Sequence, residues 1–195
     1  VPVPFKPEWD EDDPHVGDPV LALVRAVNAP GDLAAALSPL LEADELLAYV
    51  AVENAIAEAD GLLGEFGMNN FYLYRRAGDG RFVLVPWDKD ASFCSPSWPL
   101  DRHLDANVAV GRLVEDPARR RFYEETVRRA VVELVNTRWL GPRRDAAWSQ
   151  VRDAALADRT KQWTNAEVEA AAEALRHVIA SREADVLAQL GGPRP

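Results

Sequence analysis

The chain has 195 residues, 48% of them hydrophobic, and a formal net charge of −10. This length supports one sizeable core, so a single domain over residues 1–195 is expected. The acidic balance argues against broad nucleic-acid binding, the single Cys94 excludes an internal disulfide or cysteine-rich zinc site, and no apolar run approaches the about 20 residues that span a bilayer.

The first helix signal is Asp18-Pro19, read as N-cap and first helical residue, followed by an apolar stripe of Leu21, Val24 and Val27. A second helix is expected from about Asp44 to Ala59, turning Leu46, Leu47, Val50 and Asn54 inward and delivering Asp60 at its end. A β-hairpin follows at about residues 70–87. Phe71 and Leu73 alternate with Tyr72 and Tyr74, Val83 and Val85 alternate with Phe82 and Leu84, and Ala77-Gly78-Asp79-Gly80 supplies the turn. Phe71, Leu73, Val83 and Val85 are the expected core residues of this hairpin. Pro96, Pro99 and their neighbouring serines mark an irregular loop.

Asp116-Pro117 repeats the helix-start signal, opening a helix through about Val135 that buries Phe122, Tyr123, Val127, Ala130 and Leu134. Pro142 opens another. Thr164-x-x-Glu167 is a capping box, after which Val168, Ala172, Leu175, Ile179 and Leu187 recur at helical spacing, with Leu175 expected in the core. Residues 191–195 read as a tail. The expected fold is therefore α+β, mainly α-helical, with one small hairpin among the helices.

The second strand runs into Trp87-Asp88-Lys89-Asp90. Strand alternation would place Asp88 and Asp90 on one side. At ~4 Å two like charges repel by ~4 kcal/mol at an effective dielectric of ~20, and a divalent cation offsets this well. Caps or solvated turn residues are the alternative reading of such a pair. A third reading, the D-x-D of a metal-dependent glycosyltransferase, would need a nucleotide-sugar domain before the motif, and none is visible.

Upstream lie Asp60 and, after a glycine-containing loop, Asn70. The order Asp, loop, Asn, strand, turn, strand, Asp has a rationale in phosphoryl transfer: one Asp orients the acceptor hydroxyl and takes its proton, while the Asn and the last Asp hold a metal on the phosphates. His15, His103 and His177 show no metal-ligand spacing. Glu53 and Asn54 could lie near the site or serve as a helix-face carboxylate and a buried amide. Phe82 and Trp87 could lie against a nucleotide base, although aromatic residues in a hairpin more often fill core.

Three segments, Glu53 to Gly61, Asn70-Phe71-Tyr72-Leu73-Tyr74 and Phe82 to Asp90, give the chain its resemblance to the C-terminal half of the spore coat protein H (CotH) kinase family of atypical protein kinases. Residues 164–190, with Arg182 followed by Val186, Leu187 and Leu190, resemble the family's last helix. The resemblance implies a protein-kinase C-terminal lobe that transfers the ATP gamma-phosphoryl group to serine hydroxyls of a protein, using Mg2+ or Mn2+. It implies Asp60 as the catalytic aspartate, Asn70 and Asp88 as metal ligands and Asp90 as an auxiliary carboxylate at the metal. Asn69 is an alternative ligand to Asn70. It also implies a Lys/Arg-rich, serine-bearing protein partner, which an acidic lobe would steer, and a spore-coat or cell-surface location. The competing implication is a noncatalytic coat or adhesion module with the same fold.

No glycine-rich phosphate loop or nucleotide-contacting lysine strand precedes these motifs, and the lysines are Lys6, Lys89 and Lys161. The N-terminal lobe is expected to be missing, with residues 1–17 as the crossing from it and the nucleotide-binding residues unidentified. In a kinase the loop after Phe93 takes the place of the activation segment, so Ser92, Ser95 and Ser97 are either self-phosphorylation acceptors or ordinary turn residues.

Overall fold

The fold is taken from a computed structural model that describes residues 6–8 and 10–191, so part of the expected lobe crossing and nearly all of the expected tail lie outside the described residues. Helix α1 (Asp18–Asn28) starts one residue earlier than its sequence signal implies: Gly17 is the N-cap, and Asp18 and Pro19 fill the first helical positions. The Asp18 carboxylate instead lies 2.9 Å from the His15 Nδ1 atom. Helix α2 (Leu33–Leu37) is capped by the Asp32 side chain, which accepts the amides of Ala34 and Ala35.

Helix α3 (Ala43–Ala55) is the centre of the molecule. Leu47, Val50, Ala51 and Ala55 are fully buried along it. It ends before the expected Ala59. Ile56 caps the helix, and Ala57 takes a left-handed φ of 54°. The Glu58 amide then reaches back to the Glu53 carbonyl. Asp60 is thus carried by a short irregular segment beyond the helix end.

Strands β1 (Phe71–Arg75) and β2 (Phe82–Pro86) form the antiparallel hairpin. Directly opposed residues share a face, and the register sets Leu73 against Leu84 and Tyr72 against Val85. Phe71 and Leu73 therefore pack inward with Phe82 and Leu84, while Val85 is exposed and Val83 only half-buried. The expectation for β2 chose the wrong face. All five of its residues are apolar, so the strand itself does not mark an inner side, and the register decides it. The Phe82 amide donates to the Leu40 carbonyl, fastening the hairpin to the chain before α3.

The remaining helices are α4 (Val108–Val114), α5 (Pro117–Glu133), α6 (Leu140–Ala157) and α7 (Asn165–Gly191). The caps of α4 and α5 are the side chains of Asn107 and Asp116. Val110, Leu113, Val127, Val131 and Val186 close the core around α3. Leu134 lies outside that core, exposed at the frayed end of α5, and Leu175 is half-buried. The capping box forms: the Glu167 carboxylate accepts the Thr164 amide at 2.7 Å, and Thr164 Oγ1 accepts the Glu167 amide at 3.3 Å. The molecule is mainly helical with one two-stranded sheet, an α+β arrangement. Among the described residues, no helix is long and apolar enough to cross a membrane.

Candidate active site

Asp60 and Asn70 meet. The Asn70 side-chain amide donates to Asp60 Oδ2 at 2.9 Å, and the Asn69 amide donates to both carboxylate oxygens at 3.0 and 3.2 Å. Donation through nitrogen leaves the Asn70 and Asn69 amide oxygens as unused acceptors that can turn toward a cation. The loop that allows this contact is tightly wound. The Glu65 amide donates to the Ala59 carbonyl and the Asn69 amide donates to the Gly61 carbonyl, drawing both ends of the loop together.

Gly64 is required by that winding. A Cβ there would stand 2.8 Å from the Ala59 oxygen and the Gly61 nitrogen and 2.9 Å from the Asp60 Cα. These are backbone atoms, which cannot rotate away as a side-chain end can. Gly64→Ala is expected to cost about 1–3 kcal/mol, the usual range for overpacking, measured as a lower urea midpoint with an unchanged slope.

The hairpin carries the chain back to the same place. The Trp87 amide donates to the Asn70 carbonyl at 3.1 Å, so Asp88 follows directly on a residue bonded to Asn70. Asn70 and Asp88 both have left-handed backbones, with φ of 54° and 45°. Asn and Asp tolerate this region better than most residues because their short polar side chains bond locally. Strand geometry ends at Pro86, so the strict alternation expected for Asp88 and Asp90 does not continue through the motif. Asp88 and Asp90 are nonetheless both exposed. Lys89, between them, turns inward.

Lys89 Nζ lies 2.6 Å from Glu53 Oε1, and the other Glu53 oxygen accepts the Leu62 amide at 2.9 Å. Burial pushes the Glu53 carboxyl pKa upward, while the Lys89 ammonium and the Leu62 amide oppose the shift. Glu58, five residues on, is also buried. Its Oε1 accepts the Asp60 amide at 2.9 Å and its Oε2 accepts the Ser92 hydroxyl at 2.5 Å. The segment beyond Asp90 is fastened by the backbone as well: the Ala59 amide donates to the Ala91 carbonyl, and the Phe93 amide to the Ile56 carbonyl.

Of the residues expected at the site, Asp60 and Asn70 are in direct contact, Asn69 joins them, and Asp88 is brought alongside through the Trp87 amide. Asp90 stands two residues further on, exposed. Glu58 and Lys89 are contacts that the sequence reading did not find. The available signal was charge in an apolar setting, since Glu53 and Glu58 close a helix pattern otherwise dominated by Leu, Val and Ala. Asn54 is a core amide: it donates to the Leu100 carbonyl and the Tyr123 hydroxyl and accepts from the Trp98 indole. Trp87 is exposed and packs edge-on to Tyr72 at 5.3 Å, away from the core position expected of it. Ser92 is committed to Glu58, and Ser95 and Ser97 bond to each other, which is turn chemistry.

A cation would find oxygen ligands here of the type that suits Mg2+ or Mn2+, namely the Asp88 carboxylate and an Asn70 or Asn69 amide oxygen, with Asp90 nearby. Among the described residues, no group of three or more His, Cys, Asp or Glu side chains converges on a metal-sized site. Any cation held by Asp88 and an Asn70 or Asn69 amide oxygen would need water or substrate oxygens to complete its shell.

A family model described as CotH kinase protein matches residues 2–186. The chain belongs to the CotH kinase protein family. A curated relative, inner spore coat protein H of Bacillus subtilis (strain 168), is 21% identical over 164 residues, covering 78% of this chain and 42% of that protein. The chain thus spans less than half the length of this CotH relative. The CotH match includes the helices around the hairpin as well as the hairpin motifs.

Proposed function

We propose that this chain forms the acceptor- and metal-holding part of a protein serine kinase, which transfers the gamma-phosphoryl group of ATP to serine hydroxyls. The observation that carries this reading is the contact between Asp60 and Asn70, closed by the Trp87 amide on the Asn70 carbonyl. Asp60 would accept the proton of the serine hydroxyl as its oxygen bonds to the gamma phosphorus and the bond to the departing ADP oxygen breaks. Asn69 and Asn70 hold the Asp60 carboxylate in place, so little of the positioning is left to the substrate. Asn70 and Asp88, with Asp90 as auxiliary, would hold Mg2+ or Mn2+, which supplies charge neutralisation on the phosphates.

The formal charge of −10 supports a Lys/Arg-rich, serine-bearing protein as the acceptor, because opposite charge speeds encounter. The name of the relative, inner spore coat protein H, supports the spore coat as the setting. The same name supports a second reading, a coat-assembly module without catalysis. The exposed Asp88 and Asp90 carboxylates beside an Asp held by two amides favour the enzyme, since closing the loop does not require them.

The test is label transfer from gamma-labelled ATP to a Lys/Arg-rich serine peptide by the full-length protein, with Mg2+ or Mn2+ and again with a chelator. Labelling that requires the metal is expected. No labelling with either metal, or equal labelling under chelation, would remove the kinase reading and leave the assembly module.

A further inference from the structure

Two loops must keep a fixed separation for the proposed reaction: the one carrying Asp60 and the one carrying Asp88. They lie on opposite sides of the hairpin in sequence and both are irregular, and beside the main-chain bonds from Ala59 to Ala91 and from Phe93 to Ile56 they are joined by side chains. Two carboxylates lie between them, Glu53 in the last turn of α3 and Glu58 in the irregular segment just beyond its end. Glu53 accepts the Leu62 amide from the first loop and pairs with Lys89 of the second, at 2.9 and 2.6 Å. Glu58 accepts the Asp60 amide from the first loop and the Ser92 hydroxyl from the second, at 2.9 and 2.5 Å. Glu53 therefore bonds to both loops from the helix, and Glu58, itself part of the first loop, fixes the Asp60 amide locally and reaches across to the second.

We propose that Glu53 with Lys89, and Glu58 with Ser92, are positioning residues that set the distance between Asp60 and Asp88 and so determine how tightly the site holds its cation. This rests on the metal-dependent reading of the site. The physical case has three parts. Both glutamates are buried, with 6% and 3% of their surface exposed, so their bonds are shielded from competing water. The Lys89 ammonium compensates a carboxylate that would otherwise be left buried and charged. Finally, Gly61 leaves the Glu53 carboxylate its space: a Cβ at Gly61 would stand 2.6 Å from that group. The Asp-Lys-Asp sequence then divides its work. Lys89 is the anchor, pointing inward, and it leaves Asp88 and Asp90 outside at a set height above the helix end.

The experiment measures Mn2+ alone, by the paramagnetic resonance signal of the free ion, on the full-length protein and its Lys89→Met, Lys89→Arg, Glu58→Gln and Ser92→Ala variants, with each variant's thermal midpoint recorded. Loss of an outer-shell partner typically weakens metal binding by about 10–100-fold. Lys89→Met and Glu58→Gln are expected to weaken Mn2+ by about tenfold or more, while Lys89→Arg, which keeps the charge on Glu53, retains most of the affinity. Ser92→Ala removes a single hydroxyl, so it carries the test if a charged-site variant does not fold. Wild-type Mn2+ affinity in variants that melt with the wild type would overturn the proposal. Asp88→Ala separates the two levels. If it loses Mn2+ while the positioning variants keep it, the positioning inference alone fails; if it binds as the wild type does, the metal reading fails and the inference with it.

Discussion

On the proposed kinase reading, Asp60→Asn and Asp88→Ala are expected to abolish most phosphoryl transfer for different reasons, and the two failures are separable by kinetics. Asn at position 60 keeps the size of the side chain and can still accept an amide from Asn69 or Asn70, so the loop remains closed. It cannot accept the proton of a serine hydroxyl. General-base contributions are typically about 10^2–10^4-fold, so kcat should fall by that range with Mn2+ affinity nearly unchanged. Asp88→Ala removes an exposed carboxylate at the end of the hairpin and leaves the Asp60 contacts alone. Its loss should appear first in metal affinity, by more than the about 10–100-fold typical of outer-shell partners, and only through that in rate. Raising Mn2+ should restore part of the Asp88→Ala activity and none of the Asp60→Asn activity. A chain in which both variants respond to Mn2+ alike would not have divided these roles between the two aspartates.

The second large effect is on stability. Arg182, on α7, is fully buried, and its guanidinium ends among main-chain carbonyls. It donates to Asn54 and Ala55 at the end of α3 and to Pro96 and Trp98 in the loop beyond the Asp88 motif, at 2.6 to 3.0 Å. The only carboxylate paired with it among the described residues is Asp185, at 3.3 Å and 31% exposed. Burial lowers the guanidinium pKa, with Asp185 opposing, yet arginine stays charged over the ordinary pH range. Arg182→Met preserves the length and packing of the stem but strips donors from several buried carbonyls at once. Asn54 keeps the Ala57 amide and Trp98 keeps the Gln189 side-chain amide, so the Ala55 and Pro96 carbonyls are the ones orphaned; at about 1–3 kcal/mol each, a loss of roughly 2–6 kcal/mol is expected in urea unfolding. Arg182→Lys should recover only part of this, because an ammonium cannot present the planar fork that reaches both α3 and the loop. A loss below about 1 kcal/mol for Arg182→Met would mean that water replaces the guanidinium at those carbonyls.

Arg182 also shows where reading the sequence stops. Its place in a helix was legible from the capping box at Thr164 and the apolar recurrence that follows. What it bonds was not, because its partners are backbone atoms far away in the chain, and main-chain carbonyls leave no trace in residue identity. The same limit applies to α2 and α4. Their caps, Asp32 and Asn107, are ordinary cap residues, but the helices are short and their apolar pattern is too brief to stand out. The face of β2 was misread for a related reason. Phe82, Val83, Leu84 and Val85 are all apolar, so only pairing with β1 distinguishes inner from outer.

The acidic composition, the mainly helical fold with one hairpin and most helix starts were determined by the sequence itself. These are local properties: turn residues, caps, period and motif order act between near neighbours in the chain. The tertiary structure decided that α3 stops short of Asp60, that Asn69 and Asn70 both hold the Asp60 carboxylate, and that Lys89 turns inward to Glu53 while Glu58 joins Asp60 to Ser92. The Glu53–Lys89 and Glu58–Ser92 contacts join residues 36 and 34 positions apart along the chain. Such contacts exist only once the core around α3 has packed and brought the two loops to its end.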